Sequence, residues 1–392
     1  MTGAPKAGVL EITGEASTRR PTPLNRARFH HLYIHIPFCR HRCGYCDFNA
    51  YAGLDGLMKP YVDALLREFS WVASRLPFAP LETVYFGGGT PSLIPATEIG
   101  RILAEVRRRF GLARDAEVTL EANPASTDQD KLAIWRRAGV NRLSLGVQGF
   151  DRRSLAVLER RTDGELAATT VAQARDAGFA NVNLDLIYGI PFQTLKAWDA
   201  TLHRALELSP EHLSCYCLTF EEGTVLHARL RRGELPAVEG DAQWRFLEKC
   251  QFVLTGAGFH RYEISNWSRP GRESRHNLAY WSCRPCYGAG CGAHSYMRWF
   301  DGARRWWNIS RPTEYISAPS FEAGSEYLDP DRHAAEEVML GLRTDSWTPV
   351  PGPLRGAIAG LADAALVEFD GERARPTIRG MDLHNQIALA VL

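Results

Sequence analysis

Three cysteines in Cys39-Arg-His-Arg-Cys43-Gly-Tyr-Cys46 are spaced C-x3-C-x2-C, so one short loop can bring three thiolates to a single inorganic centre. An iron–sulfur cube ordinarily takes four cysteines. With three, the fourth iron stays open to an exchangeable chelator, such as the amino and carboxylate groups of a methionine derivative, whose sulfonium bond the cluster would break by electron transfer. The competing chemistry is structural zinc, which needs four closed ligands and would draw its fourth from His35 or His41.

The other unusual residues follow runs of β-branched and aromatic sequence. Phe86-Gly-Gly-Gly-Thr-Pro91 combines three glycines with neither the P-loop lysine nor dinucleotide spacing, so it suits close backbone approach to a ligand or a plain turn. Glu121 in Glu-Ala-Asn-Pro, Gln148 in Gly146-Val-Gln148 and Asp185 within Val182-Asn-Leu-Asp-Leu-Ile-Tyr-Gly-Ile-Pro191 each place a polar group at or near a strand end. Such groups need partners, internal or bound. Cys215 and Cys217 flank Tyr216 and share one face by alternation, with Cys217 a candidate for the cofactor site and barrel filling the alternative. Cys283-Arg-Pro-Cys286 with Cys291 suggests a second metal site or a thiol attachment for heme, but no histidine follows Cys286 as c-type attachment requires, and ordinary packed or free thiols are expected there.

The elements that must position these residues alternate. Strands are expected over 32–36, 83–86, 117–121, 142–147, 182–187 and 212–218. Amphipathic helices fill 61–76, 98–110, 129–138, 153–159, 165–177 and 195–208. Six βα units imply parallel pairing with right-handed crossovers, and the clustering of polar and glycine-rich residues at strand C-terminal ends selects a barrel mouth. The expected α/β organisation is a loose tail over 1–29, a partial (β/α)6 barrel over 30–265, an irregular extension over 266–325, and a small helical, winged-helix-like domain over 326–392.

Among the 392 residues, 46 Lys+Arg oppose 45 Asp+Glu, and a net charge of +1 gives no basic field for nucleic acid or an anionic membrane. Nine locally clustered cysteines and no apolar leader point to a reducing, cytoplasmic setting without a transmembrane segment.

Together, Tyr33-Ile-His-Ile-Pro-Phe-Cys39, the cysteine loop, Gly87-Gly-Gly-Thr-Pro91 and Asn183-Leu-Asp-Leu-Ile-Tyr-Gly-Ile-Pro191 resemble the radical-SAM coproporphyrinogen dehydrogenase (HemN-like) family, from about Tyr33 to the C-terminus. The resemblance implies an incomplete six-unit barrel, a [4Fe–4S] cluster on Cys39, Cys43 and Cys46, and an electron donor for it. S-adenosylmethionine would lie among Tyr33, Tyr45, Gly88, Gly89, Thr90, Glu121, Gln148, Arg160 and Asp185, with Glu121 on the ribose hydroxyls. The dehydrogenase that decarboxylates coproporphyrinogen carries a cysteine where this chain has Phe48. In addition, His276-Asn-Leu-Ala-Tyr-Trp281 matches the H-N-x-x-Y-W motif of HemW-type heme chaperones. The resemblance therefore implies a heme carrier serving an unidentified acceptor protein, with His276 a heme ligand beside Tyr280 and Trp281. An oxygen-independent coproporphyrinogen oxidase, or another radical-SAM enzyme, is the alternative. Departures from the family pattern occur at Leu158-Glu-Arg-Arg-Thr162 and at Phe192, where glycine is usual.

Overall fold

The computed structural model describes residues 27–160, 164–299 and 302–392, so most of the expected tail lies outside the described residues. Six strands form the barrel wall: β1 (Phe29–Ile36), β2 (Phe78–Gly88), β3 (Leu112–Ala122), β4 (Arg142–Gln148), β5 (Val182–Tyr188) and β6 (His212–Cys217). They pair in parallel and in sequence order. Between them run α1 (Met58–Ala73), α2 (Ala96–Phe110), α3 (Gln129–Ala138), α4 (Arg152–Val157), α5 (Gly164–Asp176) and α6 (Leu195–Glu207). Sequence signals set the helix ends: at α3, Asp128 accepts from Lys131 N and Gly139 terminates the helix at φ 104°.

Strand alternation sorts the side chains. Leu32, Ile34, Val84, Phe86, Val118, Leu120, Leu143, Leu145, Leu184, Leu186 and Leu213 join the helices in the main core. The intervening positions turn inward and are polar: Thr83, Tyr85, Thr119, Glu121, Arg142, Ser144, Asn183, Asp185, His212 and Ser214. Burial of apolar surface thus holds the barrel together from outside. Inside, polar walls surround a cavity of about 700 Å³.

The sheet continues beyond the barrel on both sides. After α7 (Val225–Arg231) and α8 (Gly240–Gly256), β7 (His260–Glu263) and β8 (Asn266–Ser268) lie at one end, with β8 antiparallel to β6, and α9 (Arg275–Trp281) and α10 (Pro312–Ser317) follow later in the chain. At the other, β9 (Cys286–Ala289) pairs in parallel with β1, followed by antiparallel β10 (His294–Trp299), β11 (Gly302–Asn308) and β12 (Glu322–Leu328). This corrects the expectation of an irregular extension over 266–325. The Trp- and Arg-rich run is a two-faced hairpin, burying Ala303 and Trp306 while Arg304 lies over the Trp306 ring. The closing domain starts at α11 (Pro330–Gly341) rather than at 326, because β12 still belongs to the large sheet. Its own core gathers Val338, Leu342, Ile358, Leu361, Val367 and Ile387 around a three-stranded sheet, consistent with a winged-helix-like unit. Among the described residues, no helix is long and apolar enough to cross a membrane.

One buried carboxylate ties the extension to the barrel. Glu68 on α1 accepts from Tyr287 Oη (2.6 Å), Asn308 Nδ2 (2.7 Å), Gly290 N (2.9 Å) and Tyr315 Oη. Replacing it by an apolar side chain leaves those donors buried without an acceptor. Glu68→Leu is therefore expected to lower unfolding stability by about 3 kcal/mol or more, with Glu68→Gln milder. Urea denaturation checks this; equal stability of Glu68→Leu and the parent would remove Glu68 as the tie.

Candidate cofactor chamber

The cysteine loop leaves β1 and is held from several sides. Phe38–Cys39 pairs with Tyr51–Ala52, and Cys46 N donates to Cys43 O (3.0 Å). Asn49 fastens the far end, donating to Cys291 O (3.2 Å) and Ser310 O (3.0 Å), while His35 Nε2 contacts Asn49 O (2.9 Å). The glycine turn then closes onto the loop. Gly89 N donates to Ile36 O and Thr90 N to Phe38 O, each at 2.8 Å. A Cβ at Gly89 would meet Phe38 O at 2.7 Å, and one at Gly88, whose φ is 112°, would meet the His35 ring at 2.5 Å. Gly89 is therefore dictated by contact with the loop and Gly88 by contact with His35 on β1.

Cys39, Cys43 and Cys46 all line the cavity. Thr90 Oγ1 lies 3.4 Å from Cys39 Sγ, and Arg160 Nη1 donates to Cys43 Sγ at 3.7 Å. Burial pushes the Cys39 and Cys46 thiols up, so a bound cation must supply the charge that keeps them as thiolates. Among the described residues, no three His, Cys, Asp or Glu side chains converge on a point suited to one metal ion. A cube places each thiolate on a different iron, so no such point is needed. Of the two zinc donors considered, His35 has both nitrogens engaged, by Tyr33 Oη (3.1 Å) and Asn49 O, and His41 is exposed and turned to Glu159 at 3.5 Å. Three thiols open to a cavity, with the buried Arg160 Nε left without a hydrogen bond, fit a cluster with one open coordination position.

The same cavity is lined by Tyr45, Gly88, Gly89, Thr90, Glu121, Gln148, Arg160, Asp185 and Cys217. Glu121 accepts from Tyr85 Oη (2.7 Å), yet burial outweighs this and lifts its carboxyl to about 7. Asp185 accepts from Ser144 Oγ (3.1 Å) and Asn183 Nδ2 (2.8 Å), and burial raises it too. Gln148 adopts φ 69° and Phe192 φ 67°, so Phe192 takes the left-handed backbone that glycine would adopt more easily.

Two expected residues stand apart from the cavity wall. Tyr33 lies in the barrel interior, stacked on Tyr85 at 6.2 Å and bonded to His35. His276, on α9 (Arg275–Trp281), is 2% exposed beneath the cavity. Its Nδ1 is 2.7 Å from Thr83 Oγ1, which also contacts His31 Nδ1 at 2.9 Å, and its Nε2 is buried without a partner. Tyr85 stacks on the ring and Tyr280 meets it edge-on, each at 5.0 Å, so aromatic contacts already cover the imidazole. Burial pushes the ring well below its ordinary pKa, leaving it neutral.

Cys215 faces the helix layer with Cys250, and Cys217 reaches the cavity edge. Cys286 Sγ contacts Tyr280 Oη (3.7 Å), and Cys291 packs where Asn49 grips the loop. Sequence reasoning missed Tyr85, Arg142, Ser144, Asn183, Ser214, Tyr216 and Asn277, all in the cavity wall. For the six on strands, the available signal was period-two alternation carried inward from residues already selected.

The Radical SAM superfamily profile matches residues 33–205. Heme chaperone HemW of Mycobacterium tuberculosis strain H37Rv is 41% identical over 372 residues, covering 92% of this chain and 94% of that one. Heme chaperone HemW of Escherichia coli K12 is 39% identical over 77% of each chain. The solved structure of Escherichia coli coproporphyrinogen III oxidase (HemN), described as a radical SAM enzyme, aligns with TM-score 0.79 over 93% of this chain and 90% of that one. At 24% identity, that likeness establishes the shared fold.

The raised Glu121 carboxyl has a measurable consequence. The fold disfavours its ionised form, so its contribution to stability is complete below about 4.5 and is lost as pH rises through about 7. Glu121→Gln should gain stability relative to the parent across that window, on the order of 2 kcal/mol. Denaturation at several pH values reads the difference, and a constant offset would contradict a raised carboxyl.

Proposed function

The chain belongs to the heme chaperone HemW family of radical SAM proteins, and from that premise we propose that it holds a [4Fe–4S] cluster on Cys39, Cys43 and Cys46, binds S-adenosylmethionine beside it, and carries heme to an acceptor protein. The observation that carries the cofactor assignment is that three loop thiols open on one cavity with Gly88, Gly89, Thr90, Glu121, Gln148, Arg160 and Asp185. When bound, the cluster supplies an electron to the sulfonium. Arg160, whose Nη1 meets Cys43 Sγ, would offer positive charge to a methionyl carboxylate. Glu121, once ionised, would accept from the ribose hydroxyls, the glycine turn would leave room for the ligand, and Asp185 would supply a further polar contact.

Heme carriage is favoured over coproporphyrinogen decarboxylation by Phe48, which is 63% exposed at the cavity rim where the decarboxylating enzyme carries a cysteine. His276 is suited to iron by its neutral ring, its unpartnered Nε2 and the Thr83 contact that orients it. Its burial requires α9 to move off the barrel floor for iron to reach it. Nine free thiols fit a reducing, cytoplasmic setting, where an electron donor would serve the cluster.

Anaerobic reconstitution with parallel assays tests the proposal. Cys39→Ser, Cys43→Ser and Cys46→Ser are each expected to lose the 4Fe–4S absorbance. The parent should shift the Soret band on heme titration, with His276→Ala binding roughly ten-fold more weakly, and should leave coproporphyrinogen unchanged. Formation of protoporphyrinogen would reverse the ranking in favour of the enzyme.

A further inference from the structure

Arg142 opens β4 with its side chain in the barrel interior, 2% exposed and in the cavity wall. Among the described residues, its guanidinium has neither an ion-pair partner nor a hydrogen bond, and its Nε is fully buried. Arginine keeps its charge at any working pH. A cation whose Nε is buried without a hydrogen bond, and whose residue lines the cavity, carries a desolvation cost that an anion bound there would offset.

The groups facing Arg142 give it no direct partner. Glu121 and Asp185 feel its charge from the neighbouring strands, but Glu121 is engaged by Tyr85 and Asp185 by Ser144 and Asn183. Toward the floor it meets His212 and His276, whose pKa values burial lowers, and the neutral phenol of Tyr262. Two further polar atoms are buried there without partners: Thr119 Oγ1, on the residue paired with Arg142 across the sheet, and His276 Nε2. Arg160 bonds to Gly146 O, four residues along the strand, or about 13 Å of extended chain from Arg142. Arg160 is thereby committed to the mouth side of the strand, and Arg142 holds the floor side without a partner of its own.

We propose that Arg142 anchors a second anion subsite, at the base of the chamber, which takes the carboxylate of a ligand entering from the mouth. The carboxylate comes from the propionate arm of a tetrapyrrole or from a small free carboxylic acid. The tetrapyrrole source rests on the heme reading above; the subsite itself does not.

The experiment uses the full chain with its cluster reconstituted. Protoporphyrin IX, its dimethyl ester and sodium propionate are titrated against the parent, Arg142→Met and Arg142→Lys. For a propionate ligand, the parent should bind the diacid about ten-fold or more tightly than the diester, Arg142→Met should erase that preference, and Arg142→Lys should keep part of it. For a free acid, sodium propionate should raise the parent's unfolding midpoint and leave that of Arg142→Met unmoved. Without ligand, Arg142→Met should unfold at a higher temperature than the parent, because a lone buried charge has been removed. A lower midpoint, or failure of Arg142→Met to fold, would make the guanidinium a structural support and overturn the proposal. So would a diacid preference and a propionate response that are both absent from the parent. If the parent binds no porphyrin but responds to propionate through Arg142, the heme reading fails and the subsite stands.

Discussion

The contact between the glycine turn after β2 and the cysteine loop after β1 is the constraint on which the chamber depends. Parallel pairing brings the two strand ends side by side, and Gly89 and Thr90 donate to the carbonyls of Ile36 and Phe38. The two backbones can approach this closely only because Gly89 lacks a side chain, and Gly88 leaves space for the His35 ring. Everything else at the mouth is referenced to this seam. Thr90 reaches Cys39, Gly88 lies against His35, and His35 fixes Asn49 and hence the far end of the loop.

A second constraint shapes the interior. Apolar burial is completed between strands and helices, so the inner face is free to be polar and the barrel need not fill itself with side chains. The result is a chamber graded along its axis. Thiols and Arg160 lie at the mouth, carboxyls raised by burial in the middle, and Arg142 above the His31–Thr83–His276 cluster at the floor. The extension and closing domain secure this floor. Arg343 stacks on Trp281 of α9 at 4.1 Å, and Arg261 pairs with Asp382 at 2.5 Å in a nearly dry contact. Glu68 fastens the β9–β11 hairpins to α1.

What was legible in the sequence was local. The cysteine spacing, the glycine turn and six alternating βα units are each written in a short window, and caps such as Asp128 and Gly139 bound the helices. Arg142, Ser144, Asn183 and Ser214 are individually unremarkable polar residues, and only closure of the barrel brings them into one wall. The 266–325 region hid its strands because Trp- and Arg-rich alternation resembles irregular surface sequence, while its pairing partners lie far away in β1 and β6. The depth of His276 was equally nonlocal, since α9 owes its place to Thr83 and Glu117 on distant strands.

If the loop presents a cluster with one iron open to a methionyl ligand inside this cavity, the amino and carboxylate groups of that ligand sit against the iron. Electron–nuclear double resonance on the reduced, reconstituted protein, with S-adenosylmethionine labelled with ¹⁵N at its amino group and ¹⁷O at its carboxylate, tests it most directly. Hyperfine coupling of both labels to the cluster is the predicted result. A well-formed reduced cluster that couples to neither label, with S-adenosylmethionine at saturating concentration, would contradict it.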